Sequence, residues 1–141
     1  MLENTPPPIL ASLPQTESPR ANPSRIAVKA EGKILFIDPA EVVTVEAQGN
    51  YVLLQRMSGS AFLLRQTLSV VAEKLLPYGF VRIHRSALVN AAYVEEIHPW
   101  TAGAYVLCIQ GGKELPVSRT FRKNLHSITP LWLGTDGFLP D

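Results

Sequence analysis

Residues 80–90 read FVRIHRSALVN, and the prediction of the fold starts from them. Apolar residues near both ends favour burial, whereas His84-Arg85-Ser86 in the middle is polar. Because an unpaired Arg in a protein interior is very costly, we expect a strand ending at Ile83, a tight polar loop presenting Arg85, and a return strand to Asn90. The guanidinium of an arginine held at the tip of such a loop is a planar group of hydrogen-bond donors, which suits phosphate or the edge of guanine.

Short apolar segments separated by turn residues precede this stretch. Two such segments flank Glu31-Gly32, which is typical of a β-hairpin. Asp38 is placed to cap a helical turn that begins at Pro39. The predicted strands in this half of the chain cover residues 26–30, 33–37, 42–46, 51–56 and 61–65.

The period of the pattern changes after residue 66. The apolar residues then fall at i, i+3, i+4, i+7 and i+8, which places them on one face of a helix; they are Leu68, Val71, Ala72, Leu75 and Leu76. Thr67 is a suitable N-cap, and Pro77 with Gly79 ends the segment. The sequence therefore predicts one α-helix over 67–76 that packs on a sheet.

Strands return in the C-terminal half. We predict them over 93–97, 104–110 and 113–117, and Pro116 indicates an edge position for the last one. A basic segment, 118–126, follows and is predicted to form a short helix capped by Ser118. The fold class is therefore mostly β, with nine or ten short strands, one clear helix and a short C-terminal one.

The two ends differ from the body of the chain. Residues 1–25 hold six of the twelve prolines, which favours a disordered arm or linker, with an arm that docks a partner as the alternative. The tail, 129–141, carries Leu131, Trp132, Leu133 and Phe138, and we expect it to pack onto the domain or onto a second copy. Residues 26–128 are left as one folded domain.

Composition and motif content exclude several classes of function. Apolar content of 46% and charged content of 18% fit an ordinary globular protein. No run of eighteen apolar residues codes for a membrane span, and no secretory signal is evident. A lone Cys108 fits a reducing cytoplasm and is predicted to be a buried core thiol. No nucleotide-binding loop, nucleophile motif or metal-ligand spacing is present, so we expect no enzyme activity, no cofactor and no metal.

The charge is small but unevenly distributed. The whole chain carries +1, whereas residues 26–128 hold 11 Lys and Arg against 8 Asp and Glu, a net +3. A modest excess of this size binds DNA only if the cations cluster on one face.

Three polar loops carry the candidate binding residues. The first loop comprises residues 48–51, the second 84–86 and the third 118–123. Their candidate side chains are Asn50, Tyr51, His84, Arg85, Ser86, Ser118, Arg119, Thr120, Arg122 and Lys123. Each loop has a plainer interpretation: turn chemistry beside Gly49, a buried imidazole at His84, and a solvated helix face after Ser118. Binding to DNA requires all three loops on one edge.

The motifs in their order resemble the LytTR family of bacterial DNA-binding domains. The resemblance covers about residues 26–128 and depends on GNYV at 49–52, RQTL at 65–68, FVRIHRSALVN at 80–90 and LPVSR at 115–119. It implies a stack of small β-sheets, elongated in shape, whose loops enter successive major grooves. It also implies that two copies bind direct repeats and bend the DNA.

The resemblance carries over to particular residues. It implies base contacts near Asn50 in the first loop, Arg85 in the second and Arg119 to Arg122 in the third. His84 and Ser86 would shape the second loop, and Asn90 would brace it.

We therefore expect a cytoplasmic bacterial transcriptional regulator whose partner is double-stranded DNA. Many family members carry a phosphorylation-receiver domain ahead of this module, whereas here we expect only a Pro-rich arm ahead of it. Control by the arm, the tail or a separate sensor protein is thus left open. The alternative is a protein-interaction module that keeps the scaffold without binding DNA.

Overall fold

The computed structural model describes residues 25–134, which form ten strands and one α-helix. The mostly β prediction is confirmed. The strands are β1 Ile26–Ala30, β2 Lys33–Ile37, β3 Val42–Gln48, β4 Tyr51–Arg56, β5 Ala61–Leu64, β6 Phe80–His84, β7 Ala87–Asn90, β8 Val94–Pro99, β9 Tyr105–Ile109 and β10 Glu114–Val117. The helix, α1, is Leu68–Leu75. The expectations for 1–24 and for 135–141 fall outside the described residues.

The strands form three small antiparallel sheets. β1 and β2 make a hairpin sheet, β5-β4-β3-β7-β6 a five-stranded sheet, and β10-β9-β8 a three-stranded sheet. The first hairpin turns at Glu31 and Gly32, with φ of 56° and 75°. Positive φ at both central residues matches the twist of the flanking strands. Pro116 lies in β10, at an edge of its sheet as predicted, where its missing N–H costs no ladder bond.

The helix forms where the sequence predicts it. The Thr67 hydroxyl accepts a hydrogen bond from the Val70 amide at 3.3 Å, so it caps the first turn. Leu68, Val71 and Leu75 are buried against the five-stranded sheet. A short 3-10 turn, Leu76–Tyr78, then ends in the left-handed region at Gly79, with φ of 87°.

The hairpin of β6 and β7 lies between two hydrophobic cores. Phe80 and Leu88 belong to the core that α1 covers, whereas Val81, Ile83 and Val89 belong to the core beneath the three-stranded sheet. A strand buried on both faces needs a nearly continuous apolar run, which explains the composition of 80–90. Ile83 is fully buried, and truncating such a side chain to Ala typically costs about 2–5 kcal/mol.

Two polar residues depart from the sequence-based expectations. Asn90 does not brace the second loop. It lies at the other end of the β6–β7 hairpin, buried, where its Nδ2 donates to the Val42 carbonyl at 2.9 Å and its Oδ1 accepts from the Ala92 amide at 3.1 Å. Cys108 is half-buried rather than buried, because it alternates with Leu107 and Ile109 and faces away from the core.

The C-terminal helix also differs from its prediction. Arg119–Ser127 is a run of 3-10 turns, and Ser118 makes no side-chain capping bond although it stands at the N-cap position. The described part of the tail is not packed into a core, since 69% of Leu131 and 87% of Leu133 are exposed. Trp132 remains close to the domain, because its ring centroid lies 5.9 Å from that of His126.

Candidate nucleic-acid interface

The first loop is a tight turn between β3 and β4. Gln48 pairs with Tyr51 across it, and Gly49 adopts a φ of 61°, which a glycine tolerates without strain. Asn50 and Tyr51 are exposed at its tip. Both side chains can therefore reach a ligand, while the turn that carries them is fixed by the strand register.

The second loop is shaped by its own polar side chains. Nδ1 of His84 lies 2.8 Å from Oγ of Ser86 and accepts from the Ser86 amide at 3.2 Å. Because Nδ1 accepts that amide proton, the ring proton of the neutral imidazole sits on Nε2. Arg85 is exposed at the tip.

Arg82 supports the second loop from below. Its Nε donates to the His84 carbonyl at 2.9 Å, and its second guanidinium nitrogen donates to the Arg85 carbonyl at 2.6 Å. A planar guanidinium holds two carbonyls in a fixed arrangement that an ammonium group cannot reproduce. The backbone beneath Arg85 is therefore held in place.

The first and second loops lie at the same end of the five-stranded sheet. The Ala47 amide, next to the first loop, donates to the Ser86 carbonyl at 2.8 Å. Asn50, Tyr51 and Arg85 line one open cleft of about 530 Å³. We call this the cationic cleft, since its lining includes Arg65, Arg82, Arg85 and the first turn of α1 but no acidic residue.

Sequence reasoning missed two of these arginines. Arg82 sits inside an apolar strand, between Val81 and Ile83, so the pattern does not mark it as a binding residue. The signal that could identify it is its alternation with core residues, because a half-buried Arg needs a fixed partner. Arg65 reaches the cleft only through the pairing of β5 with β4, which brings Leu64 beside Val52 near the first loop.

The third loop is fastened to the strand that leads into the second. A bulge in β6 leaves Ile83 without a partner in β7, and its carbonyl accepts from the Ser118 amide at 3.0 Å. The guanidinium of Arg82 lies 5.3 Å from the centre of the Phe121 ring. Asn124 donates to the Arg82 carbonyl at 2.9 Å. These contacts connect the second and third loops through Arg82.

The side chains of the third loop differ in their surroundings. Arg119, Thr120 and Lys123 are exposed, whereas Ser118 is half-buried. Arg122 is also half-buried and donates to the Gly103 carbonyl at 3.2 Å. A Cβ added at Gly103 would collide with that guanidinium. Arg122 thus holds the turn before β9, in addition to any role at the surface.

The charges of the three loops have one sign. They contain Arg85, Arg119, Arg122 and Lys123 and no Asp or Glu. Glu46, near the first loop, forms an ion pair with Lys113 at 3.3 Å. Arg56 lies at the other end of β4, where it contacts Glu41 at 3.7 Å and Ser60 at 3.1 Å. Because the charged side chains of the three loops are all positive, the surface that these loops form attracts a polyanion.

No helix within residues 25–134 has the length and apolar character needed to cross a membrane.

Comparisons with known proteins match most of the chain. Residues 32–129 match the family model described as the LytTr DNA-binding domain. The sensory transduction protein LytT of Bacillus subtilis (strain 168) is 30% identical over 112 residues, which cover 79% of this chain and 46% of that protein. The LytT protein of Oceanobacillus iheyensis is 36% identical over 103 residues, covering 72% of this chain and 42% of that protein. The chain thus spans less than half the length of these relatives.

A solved structure shows the same fold. A LytTr DNA-binding domain from Bacillus cereus matches with a TM-score of 0.63 at 24% sequence identity. The match covers 74% of this chain and 95% of that domain.

Proposed function

We propose that this chain, which belongs to the LytTr DNA-binding domain family, binds specific sequences of double-stranded DNA and regulates transcription. The family match over residues 32–129 is the observation that carries this proposal. The geometry of the loops supports it, since Arg82 contacts the second and third loops and lines the cationic cleft together with the first loop.

The loops divide the work of recognition. Asn50, Arg85 and Arg119 read base edges in the major groove, where amide and guanidinium groups make bidentate contacts with adenine and guanine. Each good contact of this kind is worth about 1–3 kcal/mol of discrimination between bases. Tyr51, Thr120 and the hydroxyl of Ser118 contact the sugar–phosphate backbone, and His84 with Ser86 keeps the second loop in shape.

The cations supply the part of the affinity that does not depend on sequence. Lys123 and the exposed arginines neutralise phosphates, and the counterions released on binding make affinity fall as salt rises. The cationic cleft fits the same role. Arg65 and Arg82 flank the capped first turn of α1 there, and a phosphate is favoured where arginines and a helix N-terminus meet.

Two copies bind direct repeats, and the protein works in the cytoplasm, where bacterial DNA lies. Reading two half-sites doubles the length of sequence recognised without enlarging the domain. Upstream control passes through a separate sensor protein or through the terminal segments. The protein performs this work by binding alone, without enzymatic turnover.

A protein-interaction module is the second candidate, favoured by one observation. Leu131, Trp132 and Leu133 form an exposed apolar segment after the third loop, and exposed apolar surface of this kind is typical of partner binding. A salt titration separates the two functions. Binding to DNA weakens steeply as salt rises, whereas binding through apolar side chains changes little.

Selection of bound sequences from a random pool of duplex DNA tests the proposal directly. We expect an enriched motif that recurs at a fixed spacing, and a gel shift with that motif that exceeds the shift with scrambled DNA. A pool that yields no motif, together with salt-insensitive binding to a protein partner, would favour the second candidate instead.

A further inference from the structure

A row of polar side chains crosses the three-stranded sheet on the face away from the core. Glu96 of β8 stands opposite Cys108 of β9, and Cys108 stands opposite Glu114 of β10. Residues that face each other across antiparallel strands project from the same side of a sheet. His98 lies two positions after Glu96 and so joins them on that side.

The potential ligand atoms in this row are close together. Nε2 of His98 lies 2.7 Å from Oε1 of Glu96, and one ligand atom each from Glu96, His98 and Cys108 lies within 4.8 Å of the other two. Oε2 of Glu114 is 3.9 Å from Sγ of Cys108. Zinc bound tetrahedrally to nitrogen, oxygen and sulfur separates its donors by about 3.3–3.7 Å. Small rotations of exposed side chains would therefore bring these atoms to ligating distance.

The electrostatics of the row favour a cation. Glu96 and Glu114 flank Cys108 on the two adjacent strands. Their negative charges attract a divalent ion, and such an ion stabilises the thiolate that coordinates it.

We propose that Glu96, His98 and Cys108 form a site for a divalent transition metal ion, with zinc as the preferred ion and Glu114 as the fourth ligand. One thiolate, one imidazole and carboxylate oxygens suit zinc, whereas calcium and magnesium prefer sites made of oxygen alone. This proposal departs from our expectation of no metal. That expectation rested on spacing along the chain, while the site is created by strand register.

The bound ion ties all three strands of the sheet together. β10 continues directly into Ser118, four residues after Glu114. The metal therefore stabilises the strand that leads into the third loop. A ligand that binds only the folded state increases the free energy of unfolding. The increase grows with the logarithm of the ligand concentration once that concentration exceeds the dissociation constant. Zinc should therefore raise the melting temperature of the protein.

Cobalt titration of the tag-free chain tests the site. We expect a thiolate-to-cobalt charge-transfer band in the near ultraviolet and tetrahedral d–d bands in the visible, both displaced by zinc. Cys108→Ser should abolish the charge-transfer band, and His98→Gln should weaken binding at least tenfold. Glu73→Gln removes an exposed carboxylate from α1 and should leave the titration unchanged.

Thermal melts give a second readout that is independent of DNA binding. Zinc should raise the melting temperature of the wild-type chain and of Glu73→Gln, but not that of Cys108→Ser. A wild-type chain without a charge-transfer band would overturn the proposal. So would a Cys108→Ser variant that binds cobalt as tightly as the wild type and is stabilised equally by zinc.

Discussion

The guanidinium of Arg82 lies 5.3 Å from the centre of the Phe121 ring, while its nitrogens donate to the carbonyls of His84 and Arg85. One side chain therefore touches both the second and the third loop. A cation above an aromatic face is worth about 0.5–1 kcal/mol at exposed sites, and hydrogen bonds from a charged donor add more. The Arg82 side chain therefore adds to the backbone contact between Ser118 and Ile83 in fixing the relative position of these two loops.

Replacement of Arg82 by Lys keeps the charge but loses the fork of donors. We expect the free energy of unfolding to fall by about 1–3 kcal/mol and specific DNA binding to weaken at least tenfold. Urea unfolding and gel shifts measure the two effects. Arg56→Lys is the matched control, because Arg56 also bonds a neighbour and lies over an aromatic ring, Phe62, at the far end of β4. A loss of DNA binding by both variants alike would contradict a special role for Arg82.

Arg85→Ala removes an exposed guanidinium from the tip of the second loop. Because the Arg85 side chain is exposed, the variant should unfold at the wild-type urea concentration. Specific DNA binding should weaken by about 1–3 kcal/mol, as expected for one bidentate base contact. Arg56→Ala should retain wild-type affinity in the same gel shift. Equal affinities of the two variants would show that Arg85 is not in the interface.

Two asparagines should give opposite results. Asn90 is 4% exposed and bonds the Val42 carbonyl and the Ala92 amide, so Asn90→Ala leaves buried backbone groups unpaired at about 1–3 kcal/mol each. Asn50 is exposed in the first loop. We expect Asn90→Ala to lower stability in urea unfolding with little change in base preference. Asn50→Ala should change the base preference and leave the stability unchanged. A loss of stability in Asn50→Ala would place Asn50 in a structural role.

Lys123 should act through phosphates alone. Its removal in Lys123→Ala should weaken binding about equally for specific and scrambled DNA, and should reduce the slope of log affinity against log salt by about 1. Lys74 is exposed in the last turn of α1, the end away from the cationic cleft. Lys74→Ala should keep the wild-type slope, and a preferential loss of specific binding in Lys123→Ala would indicate a base contact instead.

Most secondary-structure elements could be predicted because local signals agree with tertiary packing. Glu31-Gly32 and Gly111-Gly112 mark hairpins, and Thr67 with Gly79 bounds the helix. Boundaries differ by one or two residues, as in β3, which runs two residues past its predicted end. The family resemblance, confirmed by the match over 32–129, added the type of fold.

The misses share a physical cause. The partners of Asn90, Arg82 and Arg122 are backbone carbonyls that the sequence does not distinguish from any others. Asn90 bonds a carbonyl 48 residues away along the chain, and Arg122 one 19 residues away. The row of Glu96, Cys108 and Glu114 depends on strand register, which is set by the bulge in β8 and the turn after β9. Such placements appear only when the strands are assembled.

The β6–β7 hairpin supplies side chains to both hydrophobic cores, and this has a consequence for dissection of the domain. A fragment that ends after β7 would leave Val81, Ile83 and Val89 facing water. A fragment that begins at β8 would lack these three side chains, against which the three-stranded sheet packs. Neither half is a viable autonomous unit. The domain should therefore melt in a single cooperative transition. Loss of packing in one core should destabilise the other, because the β6–β7 hairpin belongs to both.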